Sequence, residues 1–229
     1  MKKVRLIFIL LIGFGSISYA QTITIGTQVW MTKNLDVATF RNGDPIPQAK
    51  TDEEWKKAGE NKQPAWCYYD NDPANGAKYG KLYNWYAVND LRGLAPKGWH
   101  IPSDDEWTIL TDYLDGEDSV GVKMKSKTGW NGNRNSSNNI ICSSNCHCCY
   151  GICIKNGKGT DSSDFNGLPG GARSFNGAFS LIGKHGYWWS STENNTYSAR
   201  HRGLIYNDGY LYRLDYGKEE GFSVRCLRD

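Results

Sequence analysis

Five cysteines and a histidine fall within twelve residues, "CSSNCHCCYGIC", from Cys142 to Cys153. Groups of these types serve four chemistries: disulfide cross-linking, zinc binding, haem attachment and thiol redox. Cys142, Cys146, Cys148, Cys149, Cys153 and His147 offer soft ligands, but the spacing C-x3-C-x-C-C-x3-C matches no paired C-x2-C arrangement of a structural zinc site. Cys142-Ser-Ser-Asn-Cys146-His147 is one residue longer than the C-x-x-C-H haem signature. A loop without periodic apolar residues cannot hold itself by burial. In an oxidising compartment cross-links are the usual remedy, so the cluster reads as mainly disulfide, with zinc as the competing reading. The chain has 7 cysteines in all. The odd count leaves one thiol free or paired with another chain.

The remaining two, Cys67 and Cys226, lie in strand-like stretches. They read equally well as buried small hydrophobes or as a bridge tying an early strand to the last one. "DNDPANG", Asp70 to Gly76, opens like a calcium loop but lacks the glycine at its sixth position, so a polar turn is the simpler reading. His100, His185 and His201 have no neighbouring Ser or Cys in a nucleophile elbow. The carboxylates are scattered, and no glycosidase pair can be named. The expectation is a chain without catalysis and without a cofactor.

The compartment follows from the start of the chain. Lys2, Lys3 and Arg5 precede an apolar run, Val4 to Phe14, that is too short to span a bilayer. Ser18-Tyr19-Ala20 then supplies small residues before Gln21. Residues 1–20 read as a secretory signal peptide and residues 21–229 as one exported domain with no membrane span, secreted, periplasmic or at the cell surface. The leader also explains the charge. Of 27 basic and 24 acidic residues it holds three bases and no acid, so the mature chain carries 24 of each. With no basic excess, nucleic acid is not an expected partner.

The elements that must position these groups are short. Thr22 to Trp30 reads as a hairpin around Gly26-Thr27, with Ile23, Ile25 and Val29 on its buried face. Thr51-Asp-Glu-Glu54 is a capping box opening a helix through Trp55 to Gly59. "HIPSDDEWTILTDYL" carries a second box, Ser103 with Glu106, and puts Trp107, Leu110 and Leu114 on one face. Tyr79 to Leu91 reads as a helix, and "AWCYYDNDPANG" as a strand running into a turn. From Gly129 to Gly171 no period is sustained. After that the pattern is β, with Asp208-Gly209 at a hairpin tip. In "GFSVRCLRD", Phe222, Val224 and Cys226 alternate with Ser223 and Arg225, as in a strand with one buried face. The fold class expected is α+β, its core built on large rings, since aromatic residues make up 13% of the chain.

"TIGTQVWMTKNL", "YGKLYNWYAV", "GWHIPSDDEW", "GLPGGARSFNGAF", "GYWWSSTE" and "GFSVRCLRD" together resemble the Fibrobacter succinogenes major paralogous domain family, in order and over nearly all of the mature chain. The resemblance implies a C-type-lectin-like fold, similar to that of formylglycine-generating enzymes, whose R-L-P-T-E-x-E-W motif resembles His100 to Trp107. It implies exported or surface proteins of Bacteroidetes-type bacteria, mostly without an assigned activity. This chain departs from the family pattern between Asn131 and Asp164, about residues 131–164, where the cysteine cluster forms an insertion. The pair of active-site cysteines of the formylglycine-generating enzymes has no counterpart by motif, and the sugar-ligating triplets of calcium-dependent lectins are absent.

The expected function is a non-catalytic binding or adhesion module for a glycan or protein ligand outside the cytoplasm. An oxidoreductase of the formylglycine-generating type and a subunit of a surface appendage are the alternatives. By the resemblance, the ligand face lies in the long loops and in "YWWSSTENNTYSARHR". Trp188 and Trp189 are adjacent and point to opposite sides of a strand. Either both are covered, or one ring is exposed beside Glu193, Asn195, Tyr197 and Arg200 as an aromatic platform.

Overall fold

The computed structural model describes residues 21–131 and 159–229. The leader, the five clustered cysteines and most of the expected insertion therefore lie outside the described residues. Strands β1 (Thr22–Ile25) and β2 (Gln28–Met31) form the expected hairpin about Gly26-Thr27, with Gly26 at φ 61. So short a turn fixes the register. It sets Ile23 opposite Trp30 and Thr24 opposite Val29, so Trp30, not Val29, shares the buried face with Ile23 and Ile25.

Helix α1 (Asp52–Glu60) has its complete capping box: Thr51 accepts from the Glu54 amide, and Glu54 accepts from the Thr51 amide. Strand β3 (Trp66–Cys67) follows. The expected turn is instead a short 3-10 segment leading into α2 (Pro73–Tyr79), with Asp72 as N-cap and Pro73 in the first turn. Gly76 inside this helix is required by packing, since a Cβ there would lie 2.2 Å from the Tyr68 ring. The helix expected from Tyr79 to Leu91 is cut in two. Gly80, at φ 76, ends α2; β4 (Leu82–Tyr83) pairs with β3; and only α3 (Trp85–Val88), capped by Asn84, is helical. Tertiary pairing of Leu82 and Tyr83 with Cys67 and Trp66 overrides the helical spacing.

Strand β5 (Trp99–His100) leads into α4 (Asp104–Tyr113), whose Ser103–Glu106 box is formed and whose Trp107, Leu110 and Leu114 are buried as expected. Helix α5 (Glu117–Met124) had no sequence expectation. The remainder is β6 (Ala172–Arg173), β7 (Phe179–Ser180), β8 (His185–Glu193), β9 (Ser198–Ile205), β10 (Leu211–Gly217) and β11 (Leu227–Arg228). The chain is thus α+β, with few helices and several small antiparallel sheets, in the orders β1-β2-β11-β5, β10-β9-β8, β3-β4 and β6-β7.

Rings dominate the interior: every tryptophan except Trp99 is buried. One cluster gathers Tyr83, Trp85, Trp189, Phe222 and Cys226. A second gathers Trp30, Trp107, Trp130, Phe165 and Trp188, and a third Trp55, Cys67 and Tyr69. The segment from Gly221 to Cys226 is buried on both sides, so Ser223 and Arg225 do not face water as the alternation suggested. Arg225, fully buried, donates to the carbonyls of Met31 and Phe165 and to Asn34 Oδ1, and lies 4.4 Å over the Phe165 ring. Arg173, also fully buried, donates to the carbonyls of Gly177, Ala49 and Thr51 and lies between the rings of Trp55 and Phe179. With so little regular structure, these guanidinium groups tie together carbonyls from separate segments of the chain.

Candidate functional site

Strand β8 sends Trp188 and Trp189 to opposite faces, and both rings are fully buried. Trp188 enters the cluster around Trp107 and donates to Asn34 Oδ1 at 2.9 Å; Trp189 enters the cluster around Phe222 and donates to the Tyr83 carbonyl at 2.8 Å. The exposed-ring expectation is therefore corrected for both. Each face of the strand is covered by its own layer, and each indole N–H has an internal partner.

Of the other four candidates, Glu193, Asn195 and Tyr197 meet at the β8–β9 turn, whereas Arg200 lies on the opposite face of β9 from Glu193, whose register partner is Ala199. Asn195 Oδ1 accepts from the amides of Tyr197 at 2.8 Å and Ser198 at 3.0 Å, which fixes the turn. The Lys218 amide donates to the Tyr197 carbonyl, and Lys218 Nζ binds Glu193 and the Thr196 carbonyl. Arg200 pairs with Asp215 across β9 and β10 at 2.7 Å. Above this braced backbone the Tyr197 ring is 77% exposed. Sequence reasoning found Tyr197 but not Lys218, well further along the chain, whose ammonium holds the turn together.

A second locus is a cleft of about 300 Å³ with an apolar wall of Val88, Leu94, Ala95 and Ile101 and with Arg41, His100, Glu106 and Ser191 among its polar members. Arg41 donates to the carbonyls of Ala95 and Trp99. His100 is clamped: its Nε2 lies 2.9 Å from Glu106 Oε1 and its Nδ1 2.8 Å from Asp229 Oδ1. Partial burial works against the charged imidazole, but the bonds to Asp229 and Glu106 outweigh it and hold the His100 pKa above its ordinary value. Burial likewise pushes Glu106 up, and the Ser103 amide, His100 and the Ser103 hydroxyl bring it below the usual carboxylate value. With each ring nitrogen facing a carboxylate, neither is turned toward the cleft to take a substrate proton. Glu106 was legible as a helix cap; Asp229, far along the chain, had no local signal.

A larger groove, about 530 Å³, lies between Pro45–Ala49, α1 and Gln63–Ala65. Of its charged members, Glu54 is spent on the α1 cap and Arg92 on Asp90, which leaves Lys57. His201 is fully buried with no hydrogen-bond partner for either ring nitrogen, and His185 Nδ1 is 2.7 Å from the Tyr187 hydroxyl. Cys67 and Cys226 are buried, free thiols in separate clusters, and burial pushes each pKa up to about 12. Asp72, in the stretch tested for calcium, accepts from the Ala74 amide as a helix cap. Among the described residues no group of three or more His, Cys, Asp or Glu is placed to hold a metal ion, and no helix is long and apolar enough to cross a membrane.

Residues 23–228 match the family model described as the Fibrobacter succinogenes major domain. No curated protein and no solved structure matches the chain.

Proposed function

The chain belongs to the Fibrobacter succinogenes major domain family, and from that premise we propose that it is a non-catalytic binding module acting outside the cytoplasm. In this reading residues 1–20 direct export, residues 21–229 form one C-type-lectin-like domain, and the cysteine-rich stretch about 131–164 is a cross-linked insertion. The lectin-like assignment draws support from the pairing of short antiparallel strands with long irregular connections around two helices that open on capping boxes. The flank of the insertion is tied to α5, where Thr160 donates to the Val122 carbonyl and Ser163 to that of Lys123.

The observation that carries the binding reading is the braced turn at Glu193–Ser198. An aromatic ring 77% exposed on a backbone already fixed by Asn195 and Lys218 offers contact area with little ordering entropy left to lose. Glu193, bound to Lys218 but with half of its side chain exposed, adds a carboxylate beside the turn that a glycan hydroxyl or a peptide can use. A non-catalytic role is supported by the state of the described histidines: His100 is clamped, His201 is enclosed, and His185 is bonded to Tyr187. The test is a glycan and protein array probed with the purified chain and with Tyr197→Ala, Glu193→Gln and Arg200→Ala. Loss of binding in at least one variant, with the melt unchanged, is expected. Binding that survives all three moves the site away from this turn.

A further inference from the structure

Strand β10 is the outermost strand of its sheet, and among the described residues it pairs only with β9. Its exposure shows where that edge is open. Leu211 is buried, whereas Arg213, Leu214, Asp215 and Tyr216 are exposed in succession. Side chains alternate between the faces of a strand, so four residues exposed in succession mark an uncovered outer edge, even though Tyr216 packs on His201 and Phe222 and Arg213 reaches Asp104. Soluble proteins blunt such edges with prolines, bulges or charged side chains, lysine above all. Here there is no proline, and the register shift of the sheet lies between β8 and β9. Neither charge stands alone: Asp215 pairs with Arg200, and Arg213 shares the single carboxylate of Asp104 with Arg202. Leu214 is left 49% exposed and Tyr216 46%.

We propose that this edge is a two-fold contact, on which a second copy of the chain pairs antiparallel along β10 and continues the sheet. The sequence of the strand, "LYRLDYG", names the occupant. Paired with itself about Leu214, it sets Arg213 of each copy opposite Asp215 of the other, Tyr212 opposite Tyr216, and Leu214 opposite Leu214. Opposite charges and aromatic pairs directly across strands stabilise a ladder. A register centred on Asp215 instead sets two carboxylates face to face. Arg213 engages Asp104 through Nε and Nη2, which leaves Nη1 without a partner among the described residues and open to a second carboxylate. The contact is isologous, so it closes at two copies, and main-chain hydrogen bonds supply its affinity as in strand addition generally.

Analytical ultracentrifugation of the purified chain under reducing conditions, across the micromolar range, tests this together with Leu214→Lys and Leu214→Glu. The wild type is expected to pass from monomer to dimer with concentration. Each variant sets like charges across the two-fold and weakens association by about tenfold or more. An equimolar mixture of the two variants sets Lys against Glu and recovers the dimer, which only a register with residue 214 opposite itself produces. Amide hydrogen exchange of the wild type gives a second reading independent of any variant's folding: amides within residues 213–216 become protected as concentration rises. A chain that stays monomeric throughout leaves the edge to a foreign strand and overturns the proposal. So does a dimer indifferent to both variants, or open-ended assembly beyond two copies.

Discussion

Replacing His201 with phenylalanine should flatten the acid limb of the stability curve. His201 is enclosed by the rings of Tyr187, Trp189, Tyr216 and Phe222, with centroids 5.7, 6.3, 5.6 and 5.1 Å away. Burial, aided by the adjacent Arg202 charge, pulls its pKa down to about 4, and the Leu214 carbonyl opposes this without forming a hydrogen bond to either nitrogen. The native state therefore holds the neutral imidazole, while the unfolded chain takes up a proton near pH 6.5. Stability from this group is whole above pH 6.5, is lost as pH falls from about 6.5 to about 4, and changes no further below that. Between pH 7.5 and 4.5 the loss amounts to about 2.5 kcal/mol. Phenylalanine keeps a ring in the box, does not titrate, and removes two unpaired polar atoms, so at pH 7.5 it should cost little or stabilise. Urea unfolding of both proteins at the two pH values isolates the effect, because His100, His185 and Glu220 titrate in both. Parallel wild-type and variant curves would refute the reasoning.

Trp188→Ala and Trp189→Ala should each destabilise the fold by about 3–5 kcal/mol, measured by urea unfolding, whereas Tyr197→Ala should leave the midpoint nearly unmoved. Asp229→Asn should lower the His100 pKa, followed by NMR titration of the ring protons, because one of the two carboxylates that raise it is gone; an unchanged value would mean that Glu106 alone holds the imidazolium. Cys67 and Cys226 should resist maleimide in the native protein at pH 8 and react once the chain is unfolded, without reductant, as judged by mass spectrometry after digestion. Native labelling at either position would contradict their burial.

What the sequence disclosed, and what it hid, divides by range. Both capping boxes were legible because all their groups lie within four residues, and the stripe Trp107–Leu110–Leu114 because helical spacing is local. The division of Tyr79–Leu91 was not, because what removes Leu82 and Tyr83 from a helix is a partner strand at Trp66–Cys67. Pro73 and Gly76 looked like turn residues, yet one starts a helix and the other makes room for Tyr68. Period-2 reasoning presumes one wet face, so it missed that Ser223 and Arg225 are as buried as Phe222. At the candidate site, parity placed Trp188 and Trp189 on opposite faces but carried no information on what lies above each. Tyr197 was legible as an aromatic amid turn residues; Lys218 was not, since nothing local to an isolated lysine says that it reaches back to Glu193 and Thr196.

The fully buried Arg173 and Arg225 hold their surroundings mainly by backbone carbonyls. A carbonyl is the one acceptor that every residue possesses, so what these guanidinium groups recognise is the path of the chain and not its spelling. The oxygens themselves come with any residue, but Gly177, where a Cβ would lie 2.4 Å from Asp52, the buried Ala49, Met31 and Phe165, and the helix cap Thr51 are each held by contacts of their own. The arginine has no substitute, because a lysine in its place offers neither the planar fork nor enough donors to span three segments. The demand is therefore lopsided within each hub: the bonds fix the one arginine, and what limits its neighbours is their own packing.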